Sequence, residues 1–378
     1  MEFTISIEKA KVALEASSVV LSANAKLQEI LQNYLIQASD NKVLIIGTDL
    51  EIAMLAYQEC DVKEPGMILV DGKKLSNIIR YASGDTLLFK SEEGKLVIKS
   101  QTGKWVLMTR EPDDFPKVDN FDPSKEFKYC NRQQFIQALS RVAHSVCEDE
   151  TRRILNAVFI DDSRFISTDG KMVTIFNSPV NFSLKEVLIP QRSLQPLMRV
   201  IDKFSTENFQ FQDSKAFYYF KLGENVFSVR KVNIQFPSEK TLSTVEATKN
   251  KNNIFVKVNR PSLISAIERV RLNASQDSKA IFLQATERGI TLKALDEFGN
   301  YSVENIPAVL EDKNEKISKI EVFFNWVNLF ESLKAMTSDS ISLQFNEKYA
   351  RSPLFIGEIS VDSILLPVEL AFNQEELK

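Results

Sequence analysis

Residues able to do acid–base, nucleophilic or metal chemistry are few. There is one histidine, His144, among 378 residues. Ser–His and Cys–His catalysis and most metal sites draw on imidazole, so a single one narrows the options. The cysteines, Cys60, Cys130 and Cys147, lie far apart with no Cys-x-x-Cys pair. That usage fits a reducing compartment rather than a disulfide framework. Two acidic pairs, Asp113-Asp114 and Asp161-Asp162, are sequence neighbours. Neighbours on a strand point to opposite faces, so neither makes a carboxylate dyad, and both read as turn residues. The stretch from Gly66 to Gly72-Lys73 approaches a phosphate loop. It is one residue too long, and Lys74 stands where a serine or threonine is required. What remains is basic side chains at helical spacing, whose chemistry is contact with phosphate.

Arg192, Arg199 and Lys203 lie seven and four apart, on one stripe of a helix and away from Leu194, Leu197, Met198 and Ile201. An earlier helix carries Lys73, Lys74 and Arg80, and a later one carries Arg260 and Arg271, eleven apart. Acidic residues gather instead in turns and at the chain end, as in Glu148-Asp149-Glu150 and Glu375-Glu376. With a net charge of -4, the chain as a whole is not a basic nucleic-acid binder. A basic helical layer within an acidic protein can still hold a polyanion without reading its sequence, and a solvated helix face has the same pattern.

The elements that carry these residues recur along the chain. Phe115-Pro116 returns as Phe236-Pro237, 121 positions on, and Thr48-Asp49 as Thr168-Asp169, 120 positions on. Residues 259–271 read as a helix, with Asn259 as cap, Pro261 in the first turn and Leu263, Ile264, Ile267 and Val270 on one face. Residues 131–146 read alike, with Asn131 as cap and Phe135, Ile136, Leu139, Ala143 and Val146 as the face. Residues 7–20 are a weaker counterpart. A second helix follows in each third, at 72–82, 191–204 and 325–336. Alternating β-rich runs surround them at 43–47, 53–58, 86–99, 104–109, 208–220, 225–230, 281–294, 340–345 and 354–366. The pattern predicts an α+β unit made three times, with polar, turn-rich boundaries near 122–126 and 243–252.

At the centre, Thr151–Ile175 predicts a hairpin: an apolar run from Ile154 to Ile160, a turn at Asp161-Asp162-Ser163, then Phe165-Ile166 ending in Thr168-Asp169-Gly170. Composition is that of a globular chain, 44% hydrophobic and 26% charged, with 26 phenylalanines to fill cores shared by short strands. Eleven glycines and 12 prolines leave little for long flexible linkers. The start, MEFTISIEKAKV, lacks a basic segment before an apolar core, so no signal peptide is expected. No apolar run approaches the roughly 20 residues that span a bilayer.

Over nearly its whole length the chain resembles the bacterial sliding clamps, the DNA polymerase III β subunit family. The matching stretches are FTISIEKAKVALEA at the start, GTDLEI at 47–52, LNAVF at 155–159, STDGKMV at 167–173, LIPQRSLQPLMRVI at 188–201, FPSEKTL at 236–242 and LLPVEL at 365–370. Their order and spacing carry the resemblance more than any one of them.

The resemblance implies three clamp domains, at 1–123, 124–247 and 248–378, each with two helices packed on antiparallel sheets. It implies a head-to-tail homodimer closed into a ring around duplex DNA, with helices lining the hole. The DNA-facing candidates are then Lys73, Lys74, Arg80, Arg152, Arg192, Arg199, Lys203, Arg260 and Arg271. A pocket for short peptides would be built from Leu155, Thr168, Gly170, Lys171, Met172, Val173, Pro237, Thr241, Leu242, Ile364, Leu365, Leu366, Pro367 and Val368. Those peptides would come from the replicative polymerase, the clamp loader, and other polymerases and repair proteins. Trp105 and Leu107 would meet Leu272 and Asn273 of a second copy at the seam. A non-catalytic, cytoplasmic protein without cofactor follows.

This chain differs from the family pattern at Lys171-Met172-Val173, where His-Arg-Leu is common. It differs also at Thr241, Glu369 and Asn273, and in the extension after Leu370. The Asn273 difference makes the expected seam more polar, and the others bear on which peptides it prefers. A peptide-binding scaffold that encloses no DNA is the alternative.

Overall fold

A computed structural model describes residues 1–21, 29–204, 206–314, 316–358 and 360–368. Glu369 and the extension at 371–378 lie outside them. The fold is α+β, and the described strands pair antiparallel throughout.

Seven α-helices are described: α1 (Ile7–Leu21), α2 (Gly72–Tyr81), α3 (Arg132–Val142), α4 (Gln191–Phe204), α5 (Ser238–Lys251), α6 (Arg260–Val270) and α7 (Trp326–Lys334). Most start where a strand ends on Asp or Asn. Asp71 accepts the Lys74 N–H at 2.7 Å, Asn131 that of Gln134 at 3.0 Å and Asn259 that of Ser262 at 3.0 Å. Each satisfies a donor that the first helical turn leaves open. The helix expected over 131–146 ends earlier, at Val142, and a 3-10 turn, Ala143–Ser145, follows. There the Ser145 hydroxyl bonds back to the Val142 carbonyl and meets buried Ser167.

One stretch expected to be turn-rich is a helix instead. The polar stretch 243–252 falls within and just after α5. It contains neither Gly nor Pro. Its hydroxyls turn back onto their own helix: Ser243 donates to Lys240 O at 3.0 Å, Thr244 to Lys240 O at 2.7 Å and Thr248 to Thr244 O at 2.9 Å. Side chains that would otherwise favour turns are thereby satisfied within the helix.

The chain forms two compact units, one of Met1–Ile136 with Arg192–Val232, the other of Gln137–Gln191 with Asn233–Lys378. Unit 1 holds a 13-stranded sheet. Within it Ile52–Glu59 pairs with Lys42–Thr48 on one side and with Asn225–Arg230 on the other. The alanine-rich face of α1 (Ala10, Ala13, Ala16) is buried and lets the helix approach those strands closely.

Unit 2 holds a nine-stranded and a four-stranded sheet. The expected central hairpin is the two strands Ala157–Asp161 and Arg164–Thr168, with Asp161 opposite Arg164. Asp162 takes the left-handed turn at φ 54°. The next strand, Met172–Asn177, pairs with Val361–Leu365 from the far end of the chain. That pairing brings residues nearly 200 positions apart to one surface.

Candidate functional site

A cavity of about 410 Å³ opens on unit 2 where these strands meet α5. Its floor is the turn after the hairpin. Thr168 Oγ1 donates to the Met172 carbonyl at 2.7 Å and accepts the Gly170 N–H at 3.0 Å. Asp169 Oδ1 accepts the N–H groups of Lys171 and Met172, both at 2.7 Å. The turn is thus fixed by its own side chains. Gly170 sits at φ +83°, in the left-handed region that glycine enters freely. A β-carbon there would also run into the Arg152 guanidinium.

One wall is the strand end, where Ile364 lies opposite Val173 and Leu366 N–H donates to the Lys171 carbonyl at 2.9 Å. Leu366 is 44% exposed. The other wall starts at Pro237. Its neighbour Phe236 is buried and stacks on Phe159, with centroids 5.3 Å apart. That anchor delivers Pro237 and Thr241 to the rim. Lys171 and Lys240 are exposed at the edge. Apolar walls with a few fixed polar groups are the usual composition of a small-ligand or peptide pocket.

Of the residues expected here, Leu155, Thr168, Gly170, Lys171, Met172, Val173, Pro237, Thr241, Ile364 and Leu366 line the cavity. Leu365 does not belong with them. Strand alternation turns it to the opposite face, where it is buried. Leu242, next along the helix from Thr241, is half-buried and outside the lining. Pro367 and Val368 continue past the cavity, and Val368 N–H bonds the Phe323 carbonyl at 2.8 Å. Ile154, Lys240, Thr244 and Pro353 complete the lining without having been expected. Ile154 heads the apolar run of the sequence, and the structure leaves it exposed. Pro353 gave no signal, because the strand pairing alone brings it there. A larger hollow of about 900 Å³ beside Thr286–Thr291 mixes Glu287, Arg288 and Lys319 with Ile290, Ile306 and Pro307, and none of the expected pocket residues lines it.

The basic residues divide into two groups. Lys73, Lys74 and Arg80 on α2 and Arg199 on α4 are exposed. Others are engaged within the protein. Arg192 reaches buried Asp49 at 3.4 Å, and Lys203 pairs with Glu15. Arg152 donates to the Asp169 carbonyl at 2.7 Å, which ties it to the pocket turn. The Arg260 side chain is only 17% exposed, and its guanidinium donates to the Ser338 carbonyl at 2.8 Å at the end of α7. Arg271 lies over the Trp326 ring at 4.9 Å.

Of the seam candidates, Trp105 and Leu107 lie on a sheet edge, and Leu272 and Asn273 on the 3-10 turn Arg271–Asn273. Trp105 and Leu107 are half-buried, on a strand whose first part pairs with one neighbour only. The neighbours Val106 and Met108 are the exposed ones. Leu272 is exposed, while Asn273 is held by the Tyr301 carbonyl and the Ser302 hydroxyl at 3.1 and 2.7 Å.

The residues with catalytic potential are structural in setting. His144 is half-buried beside the Thr174 hydroxyl at 3.2 Å, and desolvation pushes its pKa down to about 4. Burial pushes the Cys130 thiol up to about 12. Lys185 reaches both Asp161 and Asp162 in the hairpin turn. No group of three or more His, Cys, Asp or Glu with metal-site geometry occurs among the described residues. No described helix is long and apolar enough to cross a membrane.

Two family models match the chain. The DNA polymerase III beta subunit N-terminal domain covers residues 1–119, and the C-terminal domain of the same subunit covers 248–368. The Pseudomonas putida beta sliding clamp is 23% identical over 98% of this chain and 100% of its own length. The Escherichia coli beta sliding clamp is 22% identical over 92% of this chain and 93% of its own. In fold, the Pseudomonas aeruginosa DNA polymerase III subunit beta superposes with a TM-score of 0.86 at 19% identity, covering 98% of this chain and all of that one. The Thermotoga maritima beta subunit gives 0.84 at 19%, with the same coverage. The matches run from one end of the chain to the other and meet it in sequence and in fold alike, so the chain belongs to the DNA polymerase III beta subunit family, the sliding clamps.

Proposed function

We propose that the chain is a DNA sliding clamp, a non-catalytic processivity factor. It closes as a head-to-tail homodimer around duplex DNA and tethers the replicative polymerase through the unit 2 pocket. The observation that carries this is the likeness to sliding clamps along the full length of the chain, not over one domain only.

The finer reading divides the chain into clamp domains at 1–123, 124–247 and 248–378. The exposed cations of α2 and α4, Lys73, Lys74, Arg80 and Arg199, face DNA phosphates without base readout. The same pocket serves the clamp loader, other polymerases and repair proteins, each through a short extended segment. The protein works in the cytoplasm, where the chromosome is.

A peptide scaffold that encloses no DNA is the competing reading. It draws on Arg152, Arg192, Lys203 and Arg260, which the protein itself engages. The two differ topologically. The protein is loaded onto nicked circular duplex with a clamp loader and passed through a sizing column. A clamp stays with the circle and is lost when the circle is cut once. Equal loss from circular and linear DNA would overturn the ring.

A further inference from the structure

The turn that floors the unit 2 pocket has a counterpart in unit 1. Thr48 Oγ1 donates to the Ile52 carbonyl at 2.9 Å and accepts the Leu50 N–H at 3.0 Å. Asp49 Oδ1 accepts the N–H groups of Glu51 and Ile52 at 2.9 and 2.7 Å. These are the bonds of Thr168 and Asp169, one for one. The strand pairing repeats as well. Ala53 lies opposite Ser228 as Val173 lies opposite Ile364. Arg230 N–H donates to the Glu51 carbonyl at 2.7 Å, as Leu366 N–H donates to the Lys171 carbonyl. The first Phe-Pro pair supplies Pro116 where the second supplies Pro237, and Phe115 is buried as Phe236 is. The result is a cavity of about 250 Å³ walled by Leu50, Ala53, Pro116 and Phe217, with Lys117 and Arg230 on its rim.

The chemistry differs where the backbone does not. Arg230 stands in place of Leu366, and Ser228 in place of Ile364. Two cations and one carboxylate, Asp119, line the cavity, and Arg230 reaches Glu51 only at 3.9 Å. Leu50 stands where unit 2 has Gly170. Its φ is 74°, a conformation that a β-carbon resists, and the side chain is 41% exposed. The hydrogen bonds of the turn need only its backbone. A strained, exposed leucine at the mouth of a cavity points to use of the side chain.

We propose that this unit 1 cavity is a second peptide-docking site. It takes an extended segment that seats one apolar side chain against Leu50 and Phe217 and sets a carboxylate beside Lys117 and Arg230. The proposal rests on the reading of the unit 2 pocket as a peptide site. Repetition of the architecture supports the class of ligand, and the two rim cations select its acidic character.

The test is photo-crosslinking of the full-length protein with decapeptides carrying a photoreactive leucine followed by two aspartates, mapped by mass spectrometry. A second set has lysines for the aspartates. The aspartate peptide is expected to label both 48–53 with 228–230 and 168–173 with 364–366, and the lysine set to lose the unit 1 labels. Leu50→Gly and Arg230→Glu should each cut unit 1 labelling roughly tenfold and leave unit 2 labelling in place. Leu50→Gly relieves backbone strain, so its melting temperature should hold or rise, which separates lost docking from lost folding. Leu366→Glu should do the reverse, removing unit 2 labels only.

Unit 2 labelling alone would overturn the second site and leave the proposed function standing. Unit 1 labelling without unit 2 labelling would overturn the reading of the first pocket instead. Labelling of neither overturns both. Unit 1 labelling that survives both variants, or protection of that cavity by a second copy of the chain without peptide, would overturn the peptide assignment.

Discussion

His144 shows how little the isolated identity of a residue says. It is the one imidazole on which Ser–His, Cys–His or most metal chemistry would have to draw. Its pKa is held down to about 4, first by desolvation and then by the nearby Lys334 charge, against an opposing hydrogen bond with the Arg141 backbone. The folded protein therefore holds this proton less readily than the unfolded chain, whose value is 6.5. The sign follows. Stability is fully present above pH 6.5 and is lost as pH falls towards 4, because the unfolded chain takes up the proton first. Denaturant midpoints measured across that window should decline for the natural chain. For His144→Gln the decline should be smaller, by at most about 3 kcal/mol across the window. Equal slopes would place the pH dependence elsewhere.

At the level of elements, helices were legible where period and cap agree. The apolar faces at 131–146 and 259–271, each opened by an asparagine, became α3 and α6, and the three second helices became α2, α4 and α7. α5 was read as a boundary. Its apolar pattern is weak, and its Ser and Thr residues signal turns unless their hydroxyls fold back onto the helix, which sequence does not reveal. Caps can be weighed directly. The Asn325 side chain accepts the N–H groups of Val327 and Asn328 at 2.9 and 3.5 Å at the start of α7. Asn325→Ala is expected to lower unfolding free energy by about 1 kcal/mol, and Asn325→Ser, which keeps a capping oxygen but loses the volume, by much less. Chemical denaturation of the two variants distinguishes a cap from mere loss of side-chain packing, since only the second would affect both alike.

For the molecule as a whole, the order of strands could not be read from sequence. Ile154, Pro353 and Leu366 share one cavity because Met172–Asn177 pairs with Val361–Leu365, and such a pairing leaves no local signal. The same holds for the sheet edges. Among the described residues, 104–108 pair with Lys95–Lys99 alone, and Tyr301–Ile306 pairs with Gly289–Leu295 alone. Val106 and Met108 are 50% and 69% exposed on the first edge, and Tyr301 and Val303 are also exposed on the second. Open edges with apolar side chains invite pairing with another chain.

If the ring closes head to tail, one edge of each kind meets at each of two equal seams. Val106→Lys and Val303→Lys then each damage both seams and should each sediment as monomers at micromolar concentration. Mixing the two variants gives a different outcome. One seam of the mixed pair carries both lysines, while the other joins two unaltered edges. Dimers should therefore return on mixing, yet fail to stay on circular DNA, because the ring has one open seam. A seam that joined like edges would leave one of the two variants dimeric by itself. Sedimentation of each variant alone and of the mixture separates the two geometries without any DNA present.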